Sequence, residues 1–261
     1  VSARFLAPKK DRLGVILIAV VVFGLLAIGA IAYAHRPAAL DRETLCLRDA
    51  PAPASVAILS DATDRLSARH RKRLQRAVQA EVASLPKHAR LMVFSLDARQ
   101  PREPKLVFAK CNPGRGADVN ALFDNPRRVE KLFEQEFMAP LQAELEKAAH
   151  TRDARVSPIL EGVWAVSTDP DFAAAKRRLV LISDMMQHTK EGVSLYRDGD
   201  VSVTPQGPDR PDVALNGAEV RLVVLDRPEH SEKQARAIDG FWRPLLEEAG
   251  ARQACRCRID F

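Results

Sequence analysis

Between Leu13 and Ala34 the chain carries no charged residue, and nearly every side chain is aliphatic. A helix needs about 20 apolar residues to cross the hydrocarbon core of a bilayer. A buried core helix of that length would show a polar face, and this segment has none. Residues 13–34 are therefore read as a single transmembrane helix, the spanning form that satisfies its own backbone. Arg4, Lys9, Lys10 and Arg12 precede it, diluted by Asp11, whereas Arg36 and Arg42 after it are interleaved with Asp41 and Glu43. Basic residues are retained on the cytoplasmic side, so residues 1–12 are expected inside the cytoplasmic (inner) membrane and everything after the span outside it, in the periplasm. Ala32-Tyr33-Ala34 resembles the small-x-small end of a signal peptide, but the apolar run exceeds the roughly 7–15 residues usual for one. An uncleaved anchor is the expectation, and cleavage after Ala34 would export the same domain.

The net charge of +6 divides evenly: the first twelve residues supply +3 and the remaining 249 the other +3. A near-balanced exported domain gives no reason to expect a nucleic-acid partner. Cys46, Cys111, Cys255 and Cys257 all follow the span, where an oxidising compartment permits disulfides. Zinc is the rival reading, but there is no CxxC pair and no finger-like spacing. One or two disulfides are expected, with three pairings open for two.

Residues 35–54 read as a linker, rich in Ala, Pro and charge and ending in Pro51-Ala52-Pro53-Ala54. Residues 55–261 then suit one domain in which strands alternate with helices. Apolar runs at 55–60, 90–96, 105–111, 178–183 and 219–225 are strand-like, and 255–261 offers a last one. Helical periodicity marks 68–85, a segment opened by Asn125-Pro126 and expected to kink at Pro140, a short helix headed by Ser157-Pro158, and 233–249. The order predicts an open α/β domain, doubly wound around a mostly parallel sheet with an antiparallel edge hairpin. Residues 185–218 are too long for an ordinary connection.

In such sheets ligands bind beyond the carboxyl ends of the strands. There the first strand runs into Asp61-Ala62-Thr63-Asp64, the fourth into Asp184, and the Ser157-Pro158 helix enters from its loop. Carboxylates and hydroxyls converging on one edge suit a hard cation, which takes oxygen ligands. The separate, plainer readings are that Asp61 and Asp64 cap the following helix, and that Ser157 is an N-cap. The run Arg69, His70, Arg71, Lys72, Arg73, Arg76 resembles a phosphate patch but is more often a solvated helix face; anionic lipid headgroups are an intermediate reading. His188 follows Asp184 in the loop. There is no GxSxG, HExxH or Gly-rich phosphate loop, so no enzymatic activity is expected.

Strand–Asp61-x-Thr63, a later Ser157 heading a helix, and an apolar strand ending Ile182-Ser183-Asp184 together resemble the von Willebrand factor A domain across residues 55–261. The resemblance implies a doubly wound sheet with a metal-ion-dependent adhesion site on top. It also implies a role in binding another protein, membrane-associated or exported, rather than in catalysis. Asp61, Thr63, Ser157 and Asp184 would be its metal ligands, for magnesium or manganese. The first motif departs from the family at Arg65, where a serine is expected; a guanidinium there would replace the cation electrostatically. A metal-assisted hydrolase using the same carboxylates and a scaffold with a dead site are the alternative functions. In a sheet of this type the edge strand ends at the bottom, where the linker also arrives, which implies a Cys46–Cys111 bond.

Overall fold

The computed structural model describes residues 9–34, 39–61, 66–121, 124–148, 156–189, 193–197, 200–201 and 211–256. Helix α1 (Lys9–Ala34) contains the apolar stretch Leu13–Ile31, long and apolar enough to cross a membrane and with none of its surface packed against the rest of the chain. That apolar stretch has no polar face.

Six strands form one sheet. In chain order they are β1 (Ala54–Ser60), β2 (Arg90–Ser95), β3 (Lys105–Cys111), β4 (Lys176–Ser183), β7 (Glu219–Val224) and β8 (Gln253–Arg256). Their spatial order is β3-β2-β1-β4-β7-β8, all parallel except β3, which pairs antiparallel with β2 at one edge. Two-residue strands β5 (Tyr196–Arg197) and β6 (Asp200–Val201) form a separate small hairpin. The last main strand thus begins at Gln253 rather than at residue 255, and residues 257–261, Cys257 among them, lie outside the described residues.

The central strands are apolar on both faces because both faces are covered. Successive side chains alternate between the faces. Ala57, Leu59, Leu179, Leu181 and Leu222 pack with α5 (Ile159–Thr168), α6 (Ser231–Ala237) and α7 (Arg243–Glu248). Val56, Ile58, Val180, Ile182 and Val223 pack with α2 (Ala68–Ser84), α3 (Pro126–Leu132) and α4 (Ala139–Ala148). Asn125 caps α3, its side-chain oxygen accepting from the N–H groups of Arg127 and Arg128, with Pro126 in the first turn.

The kink expected at Pro140 takes the form of a wider turn. A proline in a helix lacks an N–H and its ring crowds the carbonyl four residues back. A π-helical segment, Phe133–Met138, sits just before Pro140, and a second, Ile238–Trp242, just before Pro244. In both places the widened turn falls where that carbonyl must be displaced.

At the bottom of the sheet the bond between Cys46 and Cys111 is present, with the two Cα atoms 4.8 Å apart. The stretch read as linker folds there. Asp41 Oδ1 accepts from the N–H groups of Glu43 and Thr44, Thr44 C=O accepts from Cys111 N–H at 2.8 Å, and Leu45 is buried in the α2 side of the core. Nearby, Glu81 of α2 is 1% exposed and takes two guanidiniums. Arg178 Nη1 of β4 lies 3.0 Å from one of its oxygens and Arg221 Nη1 of β7 lies 2.5 Å from the other. Glu219 closes the cluster, 3.0 Å from Arg178 Nη2.

Candidate functional site

The chain leaves β1 for β2 on one side, and β4 lies on the other, so the crevice between β1 and β4 is the point where the winding direction switches. Asp61 follows β1 and Asp184 follows β4. The ladder continues one step past β1 and β7, with Asp61 N–H donating to Ile182 C=O and Leu225 N–H to the C=O of Ser183, the last residue of β4. That extension holds the two aspartates side by side at the sheet's carboxyl edge, both buried.

Three of the four residues expected as ligands come together: Asp61, Ser157 and Asp184. Thr63, with Asp64 and Arg65, lies outside the described residues. Ser157 Oγ donates to Asp61 Oδ2 at 2.6 Å, and Ser183 Oγ donates to the same oxygen at 3.0 Å. Ser183 was not singled out by the sequence; as the last residue of β4 it points to this edge. Ser157 is not the N-cap of α5. Pro158 occupies that position without a side-chain bond, and the helix starts at Ile159. What satisfies the helix start is Gln187, whose Oε1 accepts from Leu160 N–H at 2.8 Å. Asp61 is likewise not the cap of α2, where Ser67 Oγ accepts from His70 N–H.

His188 acts through its backbone, exchanging N–H···O=C bonds of 2.8 and 3.0 Å with Ser157 and so placing that hydroxyl. The loop between Asp184 and His188 is tied down from inside. Gln187 Nε2 donates to Glu161 and to Val193 C=O, and Thr189 Oγ1 donates to Val193 C=O. Met185 adopts φ 64°, a left-handed conformation uncommon for a residue with a Cβ. Trp242 Nε1 holds its carbonyl at 2.8 Å. Burial, only partly offset by the Gln187 amide, raises the Glu161 carboxyl above its ordinary range.

Arg227, just beyond β7, puts Nε 2.7 Å from Asp184 Oδ2, while Asp184 Oδ1 accepts from Met186 N–H at 2.9 Å. Buried Gln234 clamps this corner. Its Oε1 accepts from Arg227 N–H, and its Nε2 donates to the carbonyls of Asp184 and Leu225. Asp226 pairs with buried Arg73 at 2.6 Å, so that member of the basic run is structural, whereas Arg69, Lys72 and Arg76 are exposed. A cleft of about 760 Å³ opens over the two aspartates, lined also by Ser67, Arg69, His70 and Arg227.

Burial, and then the charge of Asp61, push the Asp184 carboxyl up to about 7. Arg227 pulls the other way, but its side chain is 37% exposed and solvent takes up part of its field. The folded chain thus holds a proton on Asp184 over a range where the unfolded chain, with a value near 3.8, has released it. This contribution is complete below 3.8 and is lost as pH rises to about 7. Relative to wild type, Asp184→Asn should gain on the order of 3 kcal/mol between pH 4.5 and 7.5, less whatever Arg227 returns. Urea unfolding of both proteins in chelator checks this; a difference that stays flat or changes the other way across that window rules it out.

A hard cation would need oxygens not already engaged. Here Asp61 Oδ2 accepts two hydroxyls, and both oxygens of Asp184 are taken, one by a guanidinium. With Arg227 in place, these side chains do not fit a divalent ion. Among the described residues, no three His, Cys, Asp or Glu side chains gather as a metal cluster.

No protein-family model matches the sequence, and no curated protein matches it. Two solved structures are similar over part of their length. The three N-terminal domains of the type V pili tip protein Mfa5 from Porphyromonas gingivalis share 13% identity with a TM-score of 0.32, covering 63% of this chain and 27% of that one. A point mutant of the PilB minor pilin from Streptococcus sanguinis shares 10% identity with a TM-score of 0.40, covering 79% of this chain and 58% of that one. At those scores neither likeness carries an argument.

Proposed function

We propose that this chain is a membrane-tethered interaction module of the von Willebrand factor A type. Its domain stands outside the cytoplasm and binds another protein in the cleft above β1 and β4. The observation that carries this reading is the convergence of Asp61, Ser157 and Asp184, from three separate segments, on the switch point of the sheet. The order of elements, with its edge hairpin after the first domain helix, supports the family resemblance. The apolar helix α1 supports the tether.

A photo-cross-linking amino acid tests the surface in the full chain in its own membranes. Placed at Glu229, on the cleft rim, it should give a discrete protein adduct. Placed at Ala83, exposed near the far end of α2, it should give none. Protease added outside the inner membrane should remove the adduct. No adduct at Glu229, or the same adduct from both positions, rejects the cleft as the partner site; an adduct shielded from external protease rejects the orientation.

A further inference from the structure

The geometry points to Arg227 as the resident cation of this cleft, a guanidinium that occupies the place of a divalent metal and makes partner binding independent of one. Two buried carboxylates side by side repel, and a site like this is stable only with a proton or a positive charge between or against them. A divalent ion is one way to supply it. Here the chain supplies its own: Arg227 Nε sits 2.7 Å from Asp184 Oδ2.

The guanidinium is held there by construction. Arg227 lies two residues past Leu225, the residue that the β4–β7 register sets opposite Asp184. Its N–H is fixed by Gln234, which is 3% exposed, and the same amide binds the Asp184 and Leu225 carbonyls. One side chain thus locks both ends of the ion pair into a single register. The neighbouring Asp226 is anchored separately by Arg73. Oδ2 of Asp61 follows the same logic, since Ser157 and Ser183 both donate to it. Hydroxyls that would face a cation through their lone pairs point their hydrogens at a carboxylate. An ion entering here must displace Arg227, and the displaced guanidinium would still line the cleft and repel it.

The test uses the full chain in detergent and manganese as the probe, followed by the loss of the free-ion electron paramagnetic resonance signal. Wild type should take up no manganese at the cleft at concentrations that fill the Arg227→Ala and Arg227→Gln variants. Arg227→Ala and Arg227→Gln should bind about a hundredfold more tightly than wild type, the order expected when a unit charge at contact distance is deleted. Adding Asp184→Asn to either should abolish that gain, and Arg227→Lys, which keeps the charge, should stay like wild type. Thermal unfolding shows which variants are folded, and the glutamine variant serves if the alanine one is not. Manganese uptake by wild type that Asp61→Ala removes would overturn the inference. So would folded Arg227 variants that bind no more than wild type. The inference deepens the proposed function at the same cleft, but its readout needs no partner: manganese binding by wild type would sink it while leaving the cross-link intact, and a missing cross-link would sink the function while leaving the metal result intact.

Discussion

Glu81→Ala is expected to cost about 3 kcal/mol or more of unfolding free energy, because it strips the shared counter-ion from Arg178 and Arg221. Glu81 is 1% exposed, and each of its oxygens holds a different guanidinium. Its removal leaves two charges against the α2–sheet interface with Glu219 alone to share. The arginine side chains are 26% and 27% exposed, so solvent relieves part of the penalty and the loss should fall toward the lower end of the 3–5 kcal/mol usual for broken buried pairs. Replacing all three residues by apolar ones of similar volume should recover most of it, since the cost lies in unpaired charge rather than in absent attraction. Urea unfolding of the single and triple variants is the measurement. A single variant within 1 kcal/mol of wild type would show that water reaches the cluster freely.

The second large effect is at the disulfide. Cys46 and Cys111 are separated by 65 positions, and closing a loop of that length restricts the unfolded chain by about 4 kcal/mol in the chain-entropy account. The Cys46→Ser/Cys111→Ser double variant should lose that much, and reduction of wild type should reproduce it. The loss should reach the local structure too, because Thr44 C=O receives Cys111 N–H and Leu45 is buried beside it. Non-reducing peptide mapping should give a linked Cys46/Cys111 peptide, and urea midpoints with and without reductant should separate. Coincident midpoints would mean that the bond adds nothing beyond what the turn at 41–46 already holds.

The sheet was legible because its strands announce themselves. β1, β4 and β7 are short runs of Val, Ile and Leu, which only a strand covered on both faces requires. The last residue of each also marks the carboxyl edge, and that brought Asp61 and Asp184 forward. The same rule applied to β7 would have reached Asp226 and Arg227, two residues that the apolar run delivers to the same edge. Gln187 and Gln234 carried no such signal. A buried amide looks like a surface glutamine in sequence, and their partners, Leu160 and Asp184, lie 27 and 50 positions away. Ser157 before Pro158 matched a helix start too well. The pattern describes the backbone but not where the hydroxyl goes, and here a carboxylate 96 positions away claims it. The disulfide followed from topology, since an antiparallel edge strand must end where the sheet begins.

The staple at the bottom of the sheet also sets how the domain bears load. A pull on the chain before Cys46 against a point beyond Arg227 crosses directly into β3 through the sulfur atoms. The chain between the two cysteines, which includes β1, α2 and β2, cannot be drawn out while the bond is intact. The segment bearing Asp61 is therefore a closed ring, off the path of force between the two chain ends. Stretching can lengthen the chain only before Cys46 or after Cys111, so Asp184 and Arg227 lie on the strained route and Asp61 does not. A pull strong enough to open the fold would part the cleft along its middle, between one wall that is covalently fastened and one that is not.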